Sequence, residues 1–430
     1  VSADISEARA LDLDRADPLR GTRDGYALPL DATGTAFAYL CGHSLGLAPR
    51  AARALVDAEL GDWERQGVLG HEHARRPWIG YAEQLQAGLA LLCGASAHEV
   101  VAMNSLTVNL HLLLASFYRP TSRRFRILIE AGAFPSDRHV VTSQLRWHGH
   151  NTHAGLIELA PRPGEDLLRS EDIQRCITNA GDTLALVLWP GVQYRTGQAF
   201  DMAAIARWAR AVGANLCLDL AHAIGNVPLA LNEWDVDCAA WSSYKYLNAG
   251  PGAIGGAFIH ERQLRRPDVL RLEGWWGHQA ATRFEMPAEF VPGSGAAAWQ
   301  LSNPPILSAA PLIAALADYC RIGMPTLRAK SVALTGYLQQ LIATQCGTGV
   351  QLLTSAAESE RGCQLSIRLR GGRACARAVF DALLPRGVVA DWREPDIIRL
   401  APVPLYNSFH DVWRAARALA AAIEHTDTRP

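Results

Sequence analysis

An excess of charge of either sign is what this sequence most plainly lacks. Its 41 lysines and arginines almost cancel its 42 aspartates and glutamates, leaving a formal net charge of −1. So weak a field recommends neither nucleic acid nor an anionic membrane as a partner. The basic pairs Arg123-Arg124 and Arg265-Arg266 are short and read as solvated surface. Paired cysteines are also missing. The nine cysteines are an odd number, none forms a CxxC spacing, and Cys217 and Cys238 lie inside apolar runs. That pattern predicts reduced, buried thiols and a cytoplasmic protein. No apolar stretch reaches the roughly 18 residues needed to span a bilayer. The mixed polar start, VSADISEARALDLDRADPL, has no apolar core of a secretory leader. Metal motifs are lacking too. The HxHxxH of WHGHNTH (147–153) fits no standard zinc set, and His71-Glu72-His73 is not HExxH, so no metal is expected.

What is present is an enzyme-sized chain. Its 430 residues are too many for one small core, and 49% apolar with 19% charged residues is ordinary for a globular enzyme. The pattern predicts helices over 5–14, 51–60 and 81–92, a short strand over 99–103, and a helix over 106–117 capped by Ser105 or Asn104. Strands follow over 125–130, 155–160, 183–189, 215–220, 238–242 and 253–260, with helices over 172–179 and 201–212 between some of them. Several strands, such as TLALVLW (183–189), are continuous apolar runs without alternation. Such strands need cover on both faces, so an α/β architecture with a mostly parallel sheet flanked by helices is expected. From about residue 308 the texture changes. Long helices over 308–345, with a break at Pro325, precede strands over 350–354 and 364–369 and helices over 374–384 and 410–424. The expected domains are an N-terminal arm (1–50) joining the small domain, a large domain (51–307), and a small α+β domain (308–430).

Chemistry collects at the ends of the predicted strands. Asp219 closes ANLCLDL (214–220). Ser242-Ser243-Tyr244-Lys245 ends the next apolar run and is followed by the glycine-rich YLNAGPGAIGG (246–256). Ser105-Leu106-Thr107 sits between a strand and a helix, and Phe134 follows FRILIE (125–130) in a loop. Pyridoxal phosphate (PLP) needs this kit: a lysine for its aldehyde, a carboxylate for its pyridine nitrogen, N–H groups and hydroxyls for its phosphate, and an aromatic against its ring. In an open α/β sheet such groups come from the carboxyl ends of strands. Each residue alone has a plainer reading, as surface lysine, turn aspartate or loop glycine. The residues by themselves leave PLP enzyme and structural coincidence both open.

The longer motifs resemble the kynureninase family, fold type I PLP enzymes of the aspartate aminotransferase-like superfamily. They run in order from CGHSLGLAPR (41–50) through GHEHARRPW (70–78), MNSLTVNLHLLLASF (103–117), AFPSDRH (133–139), GVQYRTGQ (191–198), DLAHAIGNVPL (219–229), WSSYKYLNAGPG (241–252) and SNPPIL (302–307) to RLAPVPLYNSFHDVW (399–413). The resemblance implies a seven-stranded sheet in the large domain and a homodimer with shared active sites. It implies that Lys245 holds PLP as a Schiff base, Asp219 pairs with the pyridine nitrogen, and Phe134 stacks on the ring with Asp137 nearby. Leu106, Thr107 and Tyr244 would serve the phosphate, Tyr244 would relay protons, and His222 would touch the cofactor. Trp275 and Asn303 would arrive from the partner subunit. Arg399 would bind the substrate α-carboxylate with help from Ser44. Two positions depart from the family pattern: Pro190 replaces a serine and His43 an asparagine. Neither removes a group that the chemistry requires, though Pro190 puts one hydroxyl contact in doubt.

The implied reaction is hydrolysis of the Cβ–Cγ bond of L-kynurenine or 3-hydroxy-L-kynurenine to an anthranilate and L-alanine. Lys245 acts as base and Tyr244 assists reprotonation. His71, Ser302 and Asn303 match the polar set of the 3-hydroxy-preferring members, so the hydroxylated substrate is favoured. Other fold type I activities, a cysteine desulfurase or an aminotransferase, stand as alternatives. So does a non-enzymatic binding role. Against a desulfurase, Cys363 lies in the predicted strand CQLSIRL rather than on a mobile loop.

Overall fold

The computed structural model describes residues 4–427. Its strands, in chain order, begin with β1 (Ala38–Tyr39), β2 (Val100–Ala102), β3 (Arg126–Glu130), β4 (Leu156–Leu159), β5 (Leu184–Pro190), β6 (Asn215–Asp219), β7 (Cys238–Trp241) and β8 (Gly256–Ile259). They continue with β9 (Val350–Leu352), β10 (Leu365–Leu369), β11 (Val388–Val389), β12 (Asp391–Arg393) and β13 (Ile397–Leu400).

The chain divides into two units. The larger holds Ala52–Val192 and Phe200–Arg321; the smaller holds residues up to Ala51, Gln193–Ala199 and residues from Ile322 on. The larger unit's sheet has seven strands in the order β2-β8-β7-β6-β5-β3-β4. All neighbours pair parallel except β8, which runs antiparallel to both β2 and β7. One reversed strand in an otherwise parallel sheet is the expected α/β design. β5 is buried at every position, as its unbroken apolar run requires. Ile127, Ile129, Leu186, Leu188, Cys217 and Cys238 share one core with Val140, Val141 and Leu145 of the helix Pro135–Trp147. Each such side chain contributes about 1.5–3 kcal/mol on leaving water.

The smaller unit holds a four-stranded antiparallel sheet, β12-β13-β10-β9, and the parallel pair β1-β11. Its core joins Leu338 and Leu341 of the helix Met324–Gln345 to Val412 and Leu419 of the helix Phe409–Asp427. Asp14, on the helix Glu7–Ala16, accepts from the Phe409 and His410 N–H groups at 2.6 and 3.1 Å. It thereby caps the last helix from the other end of the chain.

One local expectation needs correction. The long helical stretch breaks at Gly323 (φ +82), which no L side chain adopts readily, and Pro325 sits in the first turn of the next helix. Ser105 occupies the cap position of the helix Leu106–Phe117 without a side-chain cap bond, while Asn104 (φ +47) gives its amide to Asn109. Phe134 lies in the loop after β3, as expected, at the N-cap of the helix Pro135–Trp147. The nine cysteines carry no disulfide. Among the described residues no single helix is long and apolar enough to cross a membrane.

Candidate active site

The parallel strands point their carboxyl ends to one edge of the sheet, and the site residues follow from that edge. Asp219 is the last residue of β6 and lies opposite Pro190, the last of β5. Its Oδ1 accepts from the Ala221 N–H at 2.7 Å, which fixes the carboxyl where the strand turns. Lys245 leaves β7 four residues on, in a tight turn closed by Asn248 N–H to Lys245 O and Ala249 N–H to Ser243 O, both at 3.0 Å. Asn248 takes a left-handed φ of +54 there. The Tyr319 hydroxyl donates to Tyr246 O at 2.6 Å and Gly225 O at 3.1 Å, tying the segments after Lys245 and Asp219 together.

Lys245 is buried, 9% exposed. Its Nζ stands 5.9 Å from the Phe134 ring centre and 5.8 Å from that of Tyr244. The lysine charge is thus within reach of two aromatic rings, and it acts on Asp219. Burial pushes the Asp219 carboxyl above its ordinary value, against the pull of Lys245, the Ala221 N–H and Asp137. Asp137, in the first turn after Phe134, is pushed up further, by burial first and then by Asp219 and Glu130. Two facing carboxyls cannot both ionise cheaply in a buried site, and the stronger upward push on Asp137 favours a proton there, in its hydrogen bond to Asp219. His222 is buried beside them, with its ring edge-on to Tyr246 at 6.2 Å.

In the same unit, Leu106 and Thr107 open a 12-residue helix that follows β2. The first N–H groups of a helix have no partner within it, and anions favour that position. This terminus abuts the lysine loop: Gly255 N–H donates to Asn104 O at 2.6 Å. A Cβ on Gly255 would meet Trp241 O at 2.9 Å and Asn104 O at 3.3 Å, so only glycine allows the close approach. The buried hydroxyls of Ser242 and Ser243 and the Oδ1 of Asp137 have no hydrogen-bond partner among the described residues.

The remaining sequence-derived residues fall elsewhere. His71, Trp275, Ser302 and Asn303 are exposed residues of the larger unit. His71 packs edge-on against Trp78 at 5.3 Å, and Trp78 lines an apolar groove of about 460 Å³ with Trp63 and Pro305–Ser308. Trp275 donates its indole N–H to Arg283 O at 3.1 Å. Arg399 and Ser44 belong to the smaller unit. Arg399 is fully buried on β13, and Ser44 is half-buried, its N–H donating to Cys41 O at 2.9 Å. Two residues were missed. Glu130 ends β3 at the same sheet edge and acts on Asp137, and the strand-end argument that found Asp219 applies equally to it. Asp391, beside Arg399, gave no sequence signal.

The solved structures similar in fold include the cystine C–S lyase C-DES in complex with cysteine persulfide, with TM-score 0.75, 18% identity, and coverage of 89% of this chain and 97% of that one. They also include the cysteine desulfurase CsdA from Escherichia coli, with TM-score 0.75, 16% identity, and coverage of 95% and 98%. At such identities the likeness carries the fold alone. Sequence relatives decide more. Residues 327–419 match the kynureninase C-terminal domain model. The kynureninase of Xanthomonas euvesicatoria pv. vesicatoria (strain 85-10) is 54% identical over 408 residues, 95% of this chain and 96% of the relative. That of Xanthomonas campestris pv. campestris (strain B100) is 52% identical over 424 residues, 99% and 98%. The chain belongs to the kynureninase family. Its kynureninase relatives align along nearly the whole chain, so Lys245, Asp219 and Arg399 all fall within the shared length.

Proposed function

We propose that the chain binds PLP at Lys245 and hydrolyses the Cβ–Cγ bond of a kynurenine to an anthranilate and L-alanine. The observation that carries this reading is a buried lysine within 6 Å of two aromatic ring centres, with the Asp219 carboxyl at the neighbouring strand end, in a chain of this family. The pocket fits the cofactor: a lysine for the aldehyde, a carboxylate for the ring nitrogen, a ring face in Phe134, and a helix N-terminus with buried hydroxyls for the phosphate. When bound, PLP supplies an electron sink that acidifies the substrate Cα. Lys245 would hold it, and the Lys245 Nζ would move the proton at Cα. Asp219 keeps a negative charge against the ring, with Asp137 donating to it from behind. His222 bounds the same pocket. Leu106 and Thr107 would serve the phosphate through the helix N-terminus, and the Tyr244 hydroxyl would join them. One water is consumed as the Cβ–Cγ bond breaks. The anthranilate takes the new carboxyl oxygen, and Tyr244 helps to return a proton to Cβ of the alanine product. Arg399, assisted by Ser44, holds the substrate α-carboxylate.

The 3-hydroxy substrate is favoured, on the strength of His71, Ser302 and Asn303, which offer polar groups to a ring hydroxyl. Asn303 and Trp275 act from a partner subunit in a homodimer. The exposed Trp63, Trp275, Phe284 and Met286 support a buried interface of that kind. Nine free thiols fit a reducing compartment, the cytoplasm.

Lys245→Ala is expected to lower kcat by more than about 10³-fold and to remove the visible absorption of bound cofactor. Normal turnover by that variant would overturn the assignment. Measuring kcat/KM with both kynurenines decides the substrate, and a preference for the unhydroxylated form sinks that part of the reading.

A further inference from the structure

Arginine has a long, flexible stem, and its planar fork recognises a carboxylate only when the plane is held. Arg399 is fully buried, 0% exposed. Its guanidinium is gripped on two sides within its own unit. Nε donates to Asp391 Oδ1 at 2.8 Å, and Nη2 lies 2.6 Å from the same oxygen. On the other side Nη1 donates to Tyr194 O at 2.6 Å. That carbonyl is itself placed by Gln364, whose Nε2 donates to it at 2.9 Å.

Asp391 is as firmly placed as the arginine. β12 and β13 pair antiparallel with Asp391 directly opposite Arg399, so the two side chains leave the same face of the ladder. Arg393, two residues on, holds the carboxylate from its own strand, with Nε 3.0 Å from Oδ1 and Nη2 donating to Oδ2 at 3.2 Å. The contrast with the nearby Arg373–Glu394 pair is sharp. Both of those side chains are 61% exposed, and pairs of that kind contribute little. The Asp391 carboxylate also keeps its neighbours neutral. Burial, and then Asp391, push the Cys41 thiol up to about 12, so no thiolate competes for the arginine. Cys41, His43 and Asp391 do bring ligand atoms within 4.8 Å of one another. Two guanidiniums already occupy the carboxylate, and a cation bound there would face both, so a metal is the poorer occupant.

We propose that Asp391 is a positioning residue, clamping the Arg399 guanidinium against Tyr194 O so that it meets the substrate α-carboxylate in one orientation. The proposal rests on the reading of Arg399 as the carboxylate-binding residue. A double-mutant cycle on the holoenzyme tests both, with L-kynurenine as the probe. Asp391→Asn is expected to raise KM by about 10-fold or more, with kcat within about 3-fold and the cofactor absorption band unchanged. Arg399→Gln is expected to lower kcat/KM further, and the double variant to match Arg399→Gln within about 2-fold, because the aspartate acts only through the arginine. A merely structural role would instead lower Tm or the active fraction at unchanged KM, and its effect would add to that of Arg399→Gln. Wild-type KM in Asp391→Asn beside a damaged Arg399→Gln overturns the positioning role and leaves Arg399 standing. Wild-type KM in Arg399→Gln overturns both. If either variant fails to fold, Asp391→Glu and Arg399→Lys, which keep the charges, are read through the same cycle with the same criteria.

Discussion

The pair of carboxyls at the lysine pocket ties two properties to one residue. In the cofactor-free protein Asp137 is held protonated where the unfolded chain has lost its proton, because burial and Asp219 both oppose its charge. A carboxyl whose folded pKa is raised adds stability at low pH, and that contribution is lost as pH climbs from about 4 through the folded pKa. Asp137→Asn puts a neutral amide in the same space and can still donate to Asp219. The variant is expected to show a flatter dependence of Tm on pH between about 4 and 8 than the parent, both freed of cofactor. Its PLP affinity should stay within about 5-fold, whereas Asp137→Ala, which removes the donor, should lose more. Equal pH slopes in Asn variant and parent would show that Asp137 is ionised.

Among elements, the helix Leu106–Phe117 and β8 are locked by Gly255. Gly255→Ala must push Trp241 O or Asn104 O away, and overpacking of this kind costs about 1–3 kcal/mol. Because Asn104 leads into the helix whose first turn would carry the phosphate, PLP affinity should fall by about 10-fold alongside Tm. A drop in Tm with unchanged affinity would detach that turn from the cofactor. Elements of this length were readable before the structure. β5 and β6 announced themselves as apolar runs too short for helices, and Asp219 as the polar residue closing one of them. The helix Pro135–Trp147 escaped because only Val140, Val141 and Leu145 mark its apolar face, although proline in its first turn is a start signal. β11, β12 and β13 have two, three and four residues, too few for periodicity to register. Asp391 was illegible for the same reason: its role depends on which residue stands opposite it across a ladder.

For the molecule as a whole, the homodimer is the expectation most open to measurement. Phe284 and Met286 are 52% and 68% exposed, and Phe284 packs edge-on to Trp275 at 5.5 Å. Sedimentation should give twice the chain mass of 46.6 kDa, and Phe284→Asp with Met286→Asp should move the protein towards the monomer and reduce activity with it. A fully active monomer would place Trp275 and Asn303 outside the site.

The cap that Asp14 gives Phe409 and the pairing of Ala38 with Val388 also set an order of events during synthesis. The larger unit's residues are complete once Arg321 has been made, but β1 must wait about 350 positions for its partner. At roughly 5–20 residues per second the ribosome needs about 20–70 s to deliver it. Until then Ala10 and Leu13 of the N-terminal helix lack the last-helix side chains that share their core in the finished chain.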